Sequence, residues 1–225
     1  MPSPKCLAFA ALAAVLALAA APAWANPLTI TDAVQINTSG FVGSPDSFEL
    51  YLQLNDGNQT GDANNSLAAT NFNFGAGGAA GALDTANSTG NFGGDLNLGL
   101  SLLDGQPFNA VAAFFTPGSL LTFTLTDTFT SLDSPTPDTF GLAIIDNGAP
   151  LSTTDPDGSG NLMTITFDST SPTTAAFSDS ADSTVTPTIT PQSSNPVPEP
   201  PTLADLGAGL ALLAALALRR RPRAS

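Results

Sequence analysis

Phe48-Glu49-Leu50-Tyr51-Leu52-Gln53-Leu54 places an apolar side chain at every second position and a polar one between each pair. A period of two belongs to an extended chain with one buried face and one wet face. Asn55-Asp56-Gly57 ends the run with residues that favour a tight turn. The same rhythm recurs on both sides of it. Leu96, Leu98, Leu100 and Leu102 alternate with polar or small residues, as do Leu121, Phe123 and Leu125, and then Met163, Ile165 and Phe167. Shorter strand candidates are 28–37, 67–74, 111–115, 140–146 and 175–178. Turn-forming groups separate them: Gly93-Gly94, Asp104-Gly105, Pro117-Gly118, Asp146-Asn147-Gly148 and Asp157-Gly158. The segments 63–69 and 75–83 are rich in small residues and read as loops. Nine to eleven short strands, each with a single apolar face, predict an all-β domain of two packed antiparallel sheets, a jelly-roll-like sandwich.

The charge pattern narrows the chemistry. The chain has 225 residues and a formal net charge of −14. Its only basic residues are Lys5, Arg219, Arg220, Arg221 and Arg223, and it contains no histidine. All of its 19 acidic residues except Glu199 and Asp205 lie between Asn26 and Pro198. That stretch can form no side-chain salt bridge, and it offers nothing to bind phosphate, so nucleic acid is a poor partner. The single cysteine, Cys6, lies outside it. Without His, Cys, Lys or Arg, nucleophilic triads, Schiff-base lysines and His/Cys zinc centres are excluded there. A pair of aspartates hydrolysing a glycosidic bond survives on residue type alone, and the sequence singles out no such pair.

Hard cations want clustered oxygen ligands on loops. Asp155, Asp157, Ser159 and Asn161 open like a D-x-D-x-S calcium loop, but Thr166 stands where a bidentate Glu would close it. Asp56, Asn58 and Asp62 form a second oxygen-rich loop. Asp, Asn and Gly are also what β-turns are made from, so plain turn chemistry is the simpler reading of both stretches. Structural calcium is the one cofactor the sequence offers. Thr122, Thr124, Thr126, Thr128 and Thr130 would project from one strand face. Such a row can order water, yet threonine is favoured on any solvated strand face, and one ladder makes no flat array.

The two ends stand apart from the domain. Residues 1–25 have a signal peptide's layout: Lys5, an apolar run over 7–21, and a small-x-small cleavage site at Ala23-Trp24-Ala25. Residues 26–182 form the expected ectodomain. Residues 183–196 are rich in Thr, Ser and Pro and read as an extended stalk, although Val185, Thr188 and Ile189 could instead finish an edge strand. In 197–225, Val197-Pro198-Glu199-Pro200 precedes an apolar, helix-prone run over 203–218, which ends at Arg219, Arg220 and Arg221. The run is short for a bilayer span, and snorkelling arginines would accommodate it. Positive charge stays cytoplasmic, so the domain before it faces outward.

These three parts, in this order at the C-terminus, resemble the PEP-CTERM sorting signal of Gram-negative bacteria. The resemblance implies recognition by an exosortase, a membrane cysteine protease. It implies cleavage near Pro198-Glu199-Pro200, after transient anchoring in the inner membrane, and transfer to the cell surface or an exopolysaccharide matrix. Tyr51 to Gly57, Gly61 to Asn65 and Phe72-Asn73-Phe74-Gly75 also look like the ectodomain of one PEP-CTERM subfamily, which brings no known activity. The expected role is non-enzymatic display or structure in a biofilm matrix. The alternatives are a carbohydrate-binding module and a calcium-dependent secreted hydrolase using paired aspartates.

Overall fold

The structure, a computed structural model, describes residues 28–129, 136–167, 172–182 and 184–194. The signal peptide with Ala23 and Ala25, the motif Val197 to Pro200, the apolar tail, Arg219 to Arg221, and Thr130 all lie outside them.

The regular structure of the described residues is almost entirely strand: β1 (Leu28–Asn37), β2 (Phe48–Asn55), β3 (Asn65–Asn73), β4 (Ala79–Thr89), β5 (Asn91–Asp95), β6 (Gly99–Leu103), β7 (Phe108–Thr116), β8 (Leu120–Phe129), β9 (Asp138–Asp146), β10 (Ala149–Pro150), β11 (Met163–Phe167), β12 (Thr173–Ala176) and β13 (Pro187–Ser194). Two antiparallel sheets result. One has the order β13-β1-β8-β3-β6-β5, the other β12-β11-β9-β2-β7-β4, with the two-residue β10 added to β9.

The opening stretch behaves as its pattern dictates. Phe48, Leu50, Leu52 and Leu54 of β2 are buried, whereas Tyr51, Gln53 and Asn55 are half-buried on the other face. Leu52 lies opposite Val111 on one side and Leu142 on the other, so β2 is central and covered along both edges. Across the gap, Val34 and Ile36 of β1, Leu67 of β3 and Leu121, Phe123 and Leu125 of β8 complete one continuous core. Rings tie the two layers together: Phe74 meets Phe115 at 5.9 Å and Phe129 meets Phe167 at 5.4 Å between centroids. Interlocked aromatic pairs of this kind add packing energy beyond burial alone.

Three expectations are corrected. The leucine alternation over 96–102 is not one strand. Leu96 to Leu98 form the turn of the β5–β6 hairpin, where the Asp95 carboxylate accepts the Asn97 and Leu98 amides at 2.7 and 2.9 Å. Leu98 is left 82 % exposed at its tip. The turn needs a left-handed residue beside it, which Gly94 supplies with φ +86°. Of the small-residue segments read as loops, 63–69 contains the start of β3, and 75–83 the start of β4, an eleven-residue strand packed along β7. Its side chains are too small to show a period.

The expected stalk is largely a strand. Over Pro187–Ser194, β13 pairs with β1 from Ile36↔Pro187 to Ile30↔Ser194, with a bulge at Thr31/Asp32. Val185, just before it, is wholly buried. Pro187 and Pro191 are tolerated because β13 is an edge, where one row of amides needs no partner. Residues 27–196 accordingly group as one compact unit.

Candidate functional site

Strand ends gather acids at one end of the sandwich. β2 stops at Asn55, β3 starts at Asn65, β6 stops at Leu103 and β9 starts at Asp138. The β2–β3 loop crosses there from one sheet to the other. Asp56 closes this loop on itself, its carboxylate accepting the Asn58 amide at 2.9 Å and the Gly61 amide on its other oxygen. Asp62, exposed, accepts the side-chain amides of Asn58 at 3.2 Å and Asn64 at 2.9 Å. The expected trio Asp56, Asn58 and Asp62 is therefore one hydrogen-bonded loop, with Asp56 buried and the other two at the surface.

Below the loop sit residues the sequence did not single out as ligands. Asp104 follows β6 and is 0 % exposed; Asp138 opens β9 and is also buried. The Asn65 amide donates to Asp104 Oδ2 at 3.0 Å, and the Gly57 amide to Asp138 Oδ1 at 2.7 Å. The Asn65 side-chain Nδ2 donates to Asp138 Oδ2. Asp104 and Asp138 also meet side chain to side chain. Burial, and then the charges of Asp138 and Asp62, push the Asp104 carboxyl up to about 7, against the lowering pull of the Asn65 amide. The available signal was Asp104-Gly105, read only as a turn; nothing local links it to Asp138.

The other expected loop stands alone. Asp155 is buried and accepts the Asp157 amide at 3.2 Å and the Ser159 hydroxyl. Asn161 Nδ2 donates to Ser159 Oγ at 2.7 Å, and the Gly158 amide to the Asp155 carbonyl at 3.1 Å. Both Asp155 oxygens are used in closing this turn, and the Ser159 hydroxyl is engaged with Asp155 and Asn161, while Asp157 is exposed. Among the described residues no three His, Cys, Asp or Glu side chains come together as a metal site would have them. Among them also, no helix is long and apolar enough to cross a membrane.

The outer faces differ. On the β8 sheet, Thr126 is flanked by Thr31 and Ala68, and Thr128 by Thr29 and Ser66. The threonine row thus widens into a hydroxyl-rich patch over three strands, beside a groove of about 650 Å³ that reaches Asn91 and Ser101. On the β2 sheet, Tyr51 sits between Ala112 and Ala143, with Glu49 and Gln53 in the same row along the strand. Glu49 is buried and accepts Asn87 Nδ2 at 3.3 Å; its burial, and next the Asp84 charge, raise its carboxyl against that hydrogen bond. Burial also raises the Tyr51 hydroxyl.

Compared with protein-family models, curated proteins and solved structures, the chain matches none.

Proposed function

We propose that this is an exported, non-enzymatic protein of the cell surface or extracellular matrix, delivered by exosortase processing of its tail. The ordered tail carries the reading: Val197-Pro198-Glu199-Pro200, then an apolar run, then Arg219-Arg220-Arg221. The fold is compatible with it. β13 ends at Ser194, before Val197, so cleavage within the motif would remove none of the described strands. Two acid pairs among the described residues, Asp104 with Asp138 and Asp32 with Asp127, are buried, which suits neither to flanking the bond of a polymeric substrate. We read the architecture as a jelly roll. β1 pairs with β8, β2 with β7 and β3 with β6, and β4 runs on into β5 through Gly90, as in one long antiparallel ribbon rolled up on itself.

Intact-mass analysis of the native protein in membrane and matrix fractions tests the sorting. A matrix form running from Asn26 to the region of Pro198–Pro200 is expected. A membrane form that keeps Arg219 to Ser225 would overturn it in favour of a simple anchor.

One observation favours a second reading, a carbohydrate-binding module. Tyr51, half-buried, lies in register between the small residues Ala112 and Ala143, with Gln53 next to it in the same row along the strand. Pull-down on matrix polysaccharide that is lost in Tyr51→Ala would support it. Equal retention by both proteins would remove it.

A further inference from the structure

We propose that Asp104, Asp138 and Asn65 hold a calcium ion that clamps the two sheets together beneath the β2–β3 loop. The inference goes beyond the sorting reading and does not rest on it. Two carboxyls are brought together in the interior of a domain that has no Lys, Arg or His anywhere between Asn26 and Pro198. Like charges so placed are unfavourable unless a proton or a cation joins them.

An amide oxygen separates these two cases. Asn65 is only 3 % exposed, and its Nδ2 is committed to Asp138, yet its Oδ1 is buried with no hydrogen-bond partner. Asp104 Oδ1 is likewise buried and unpartnered. Native interiors seldom leave such atoms orphaned. A proton shared between Asp104 and Asp138 would satisfy the carboxyls and leave Asn65 Oδ1 with nothing. A cation beside all three groups would satisfy every one of them.

The donors also choose the ion. They are carboxylate and amide oxygens with no nitrogen or sulfur, which suits a hard cation. Two acids rather than three supply the charge, and calcium readily takes neutral oxygens and water for the remainder. The carboxylates are aimed in advance: the Asn65 backbone amide holds one oxygen of Asp104, and the Gly57 amide and Asn65 Nδ2 hold the two of Asp138, each oxygen keeping a lone pair for a cation. That fixed, irregular arrangement fits calcium better than magnesium, which demands a near-octahedral shell. Asp104 and Asn65 belong to the β8 sheet and Asp138 to the other, so a bound ion would do across the sheets what a salt bridge does elsewhere.

The test uses the native protein, stripped with EDTA and titrated with calcium chloride or magnesium chloride during thermal unfolding and calorimetry. Calcium is expected to bind with a saturable rise in melting temperature well above that given by magnesium at equal concentration. Asp104→Asn should weaken binding at least tenfold, and Asp155→Asn should leave it unchanged. If Asp104→Asn does not fold, Asn65→Ala removes the amide oxygen without changing charge and should also weaken binding about tenfold. Calcium affinity unchanged in either folded variant would overturn the proposal. So would a melting temperature indifferent to calcium, which would mean that the pair shares a proton.

Discussion

Asp127 and Asp32 project into the interior from neighbouring strands, on crossed diagonals of one register: Asp127 faces Ile30, and Asp32 faces Leu125. Both occupy inward positions in otherwise apolar rows and border a cavity of about 390 Å³ walled by Ile165, Phe167 and Thr174. Asp127 is 2 % exposed with one carboxylate oxygen unpartnered. Burial first, and then the charge of Asp32, push its carboxyl from 3.8 up to about 8. Burial also raises Asp32.

The sign of the pH effect follows. The folded state keeps a proton on Asp127 that the unfolded chain releases above 3.8. The stability linked to that proton is complete below pH 3.8 and is lost as the pH rises to about 8. The slope is no steeper than about 1.4 kcal/mol per pH unit for one group. Urea unfolding between pH 4 and 9 should therefore show stability falling with pH. Asp127→Asn, which cannot ionise, should flatten that fall and be the more stable protein at pH 8.5. An Asp127→Asn profile that parallels the parent would show that this carboxyl does not hold its proton.

Leu52→Ala should cost about 2–5 kcal/mol, the range for emptying a closed core site. Leu52 is wholly buried and locked between Val111 and Leu142, so its neighbours have little freedom to collapse into the hole. Leu98→Ala, at the exposed hairpin tip, should stay within about 0.5 kcal/mol. Denaturant midpoints of the two variants make the comparison.

That contrast also marks what the sequence could disclose. Leu52 and Leu98 both sit in clean alternating runs. Periodicity placed the first correctly and the second wrongly, because a period of two does not register a turn that Asp95 and Gly94 force inside it. β4 was invisible for the opposite reason, since alanine and glycine carry too little contrast to show a face. The site divides likewise. The oxygen-rich loops at Asp56 and Asp155 were legible as local strings, and the structure shows their oxygens spent largely on closing turns. Asp104, Asp138 and Asn65 come from three strand ends far apart in sequence, and only the register that brings those ends together reveals them.

Truncation separates a stalk from a strand. A chain ending after Thr186 lacks β13 and the cover it gives the β1 edge. A chain ending after Pro196 keeps both. The shorter protein should melt at a clearly lower temperature and associate through its bare edge, as unpaired strands do. Equal melting curves and a monomeric short form on size-exclusion chromatography would return the segment to a stalk.

Gly57→Ala probes how the β2–β3 loop seats on the acid cluster. A Cβ at Gly57 would lie 2.2 Å from the Thr136 carbonyl oxygen and 2.5 Å from that of Pro137, and backbone cannot swing aside as a flexible side chain can. The loop would have to lift, and the Gly57 amide would withdraw from Asp138 Oδ1. The cost should be about 1–3 kcal/mol, as for other forced overpacking. Calcium affinity should fall with it, because one carboxylate loses the donor that aims it. Melting curves with and without calcium read both effects. A variant that loses stability but binds calcium as tightly as the parent would show that the loop packs on the cluster without orienting it.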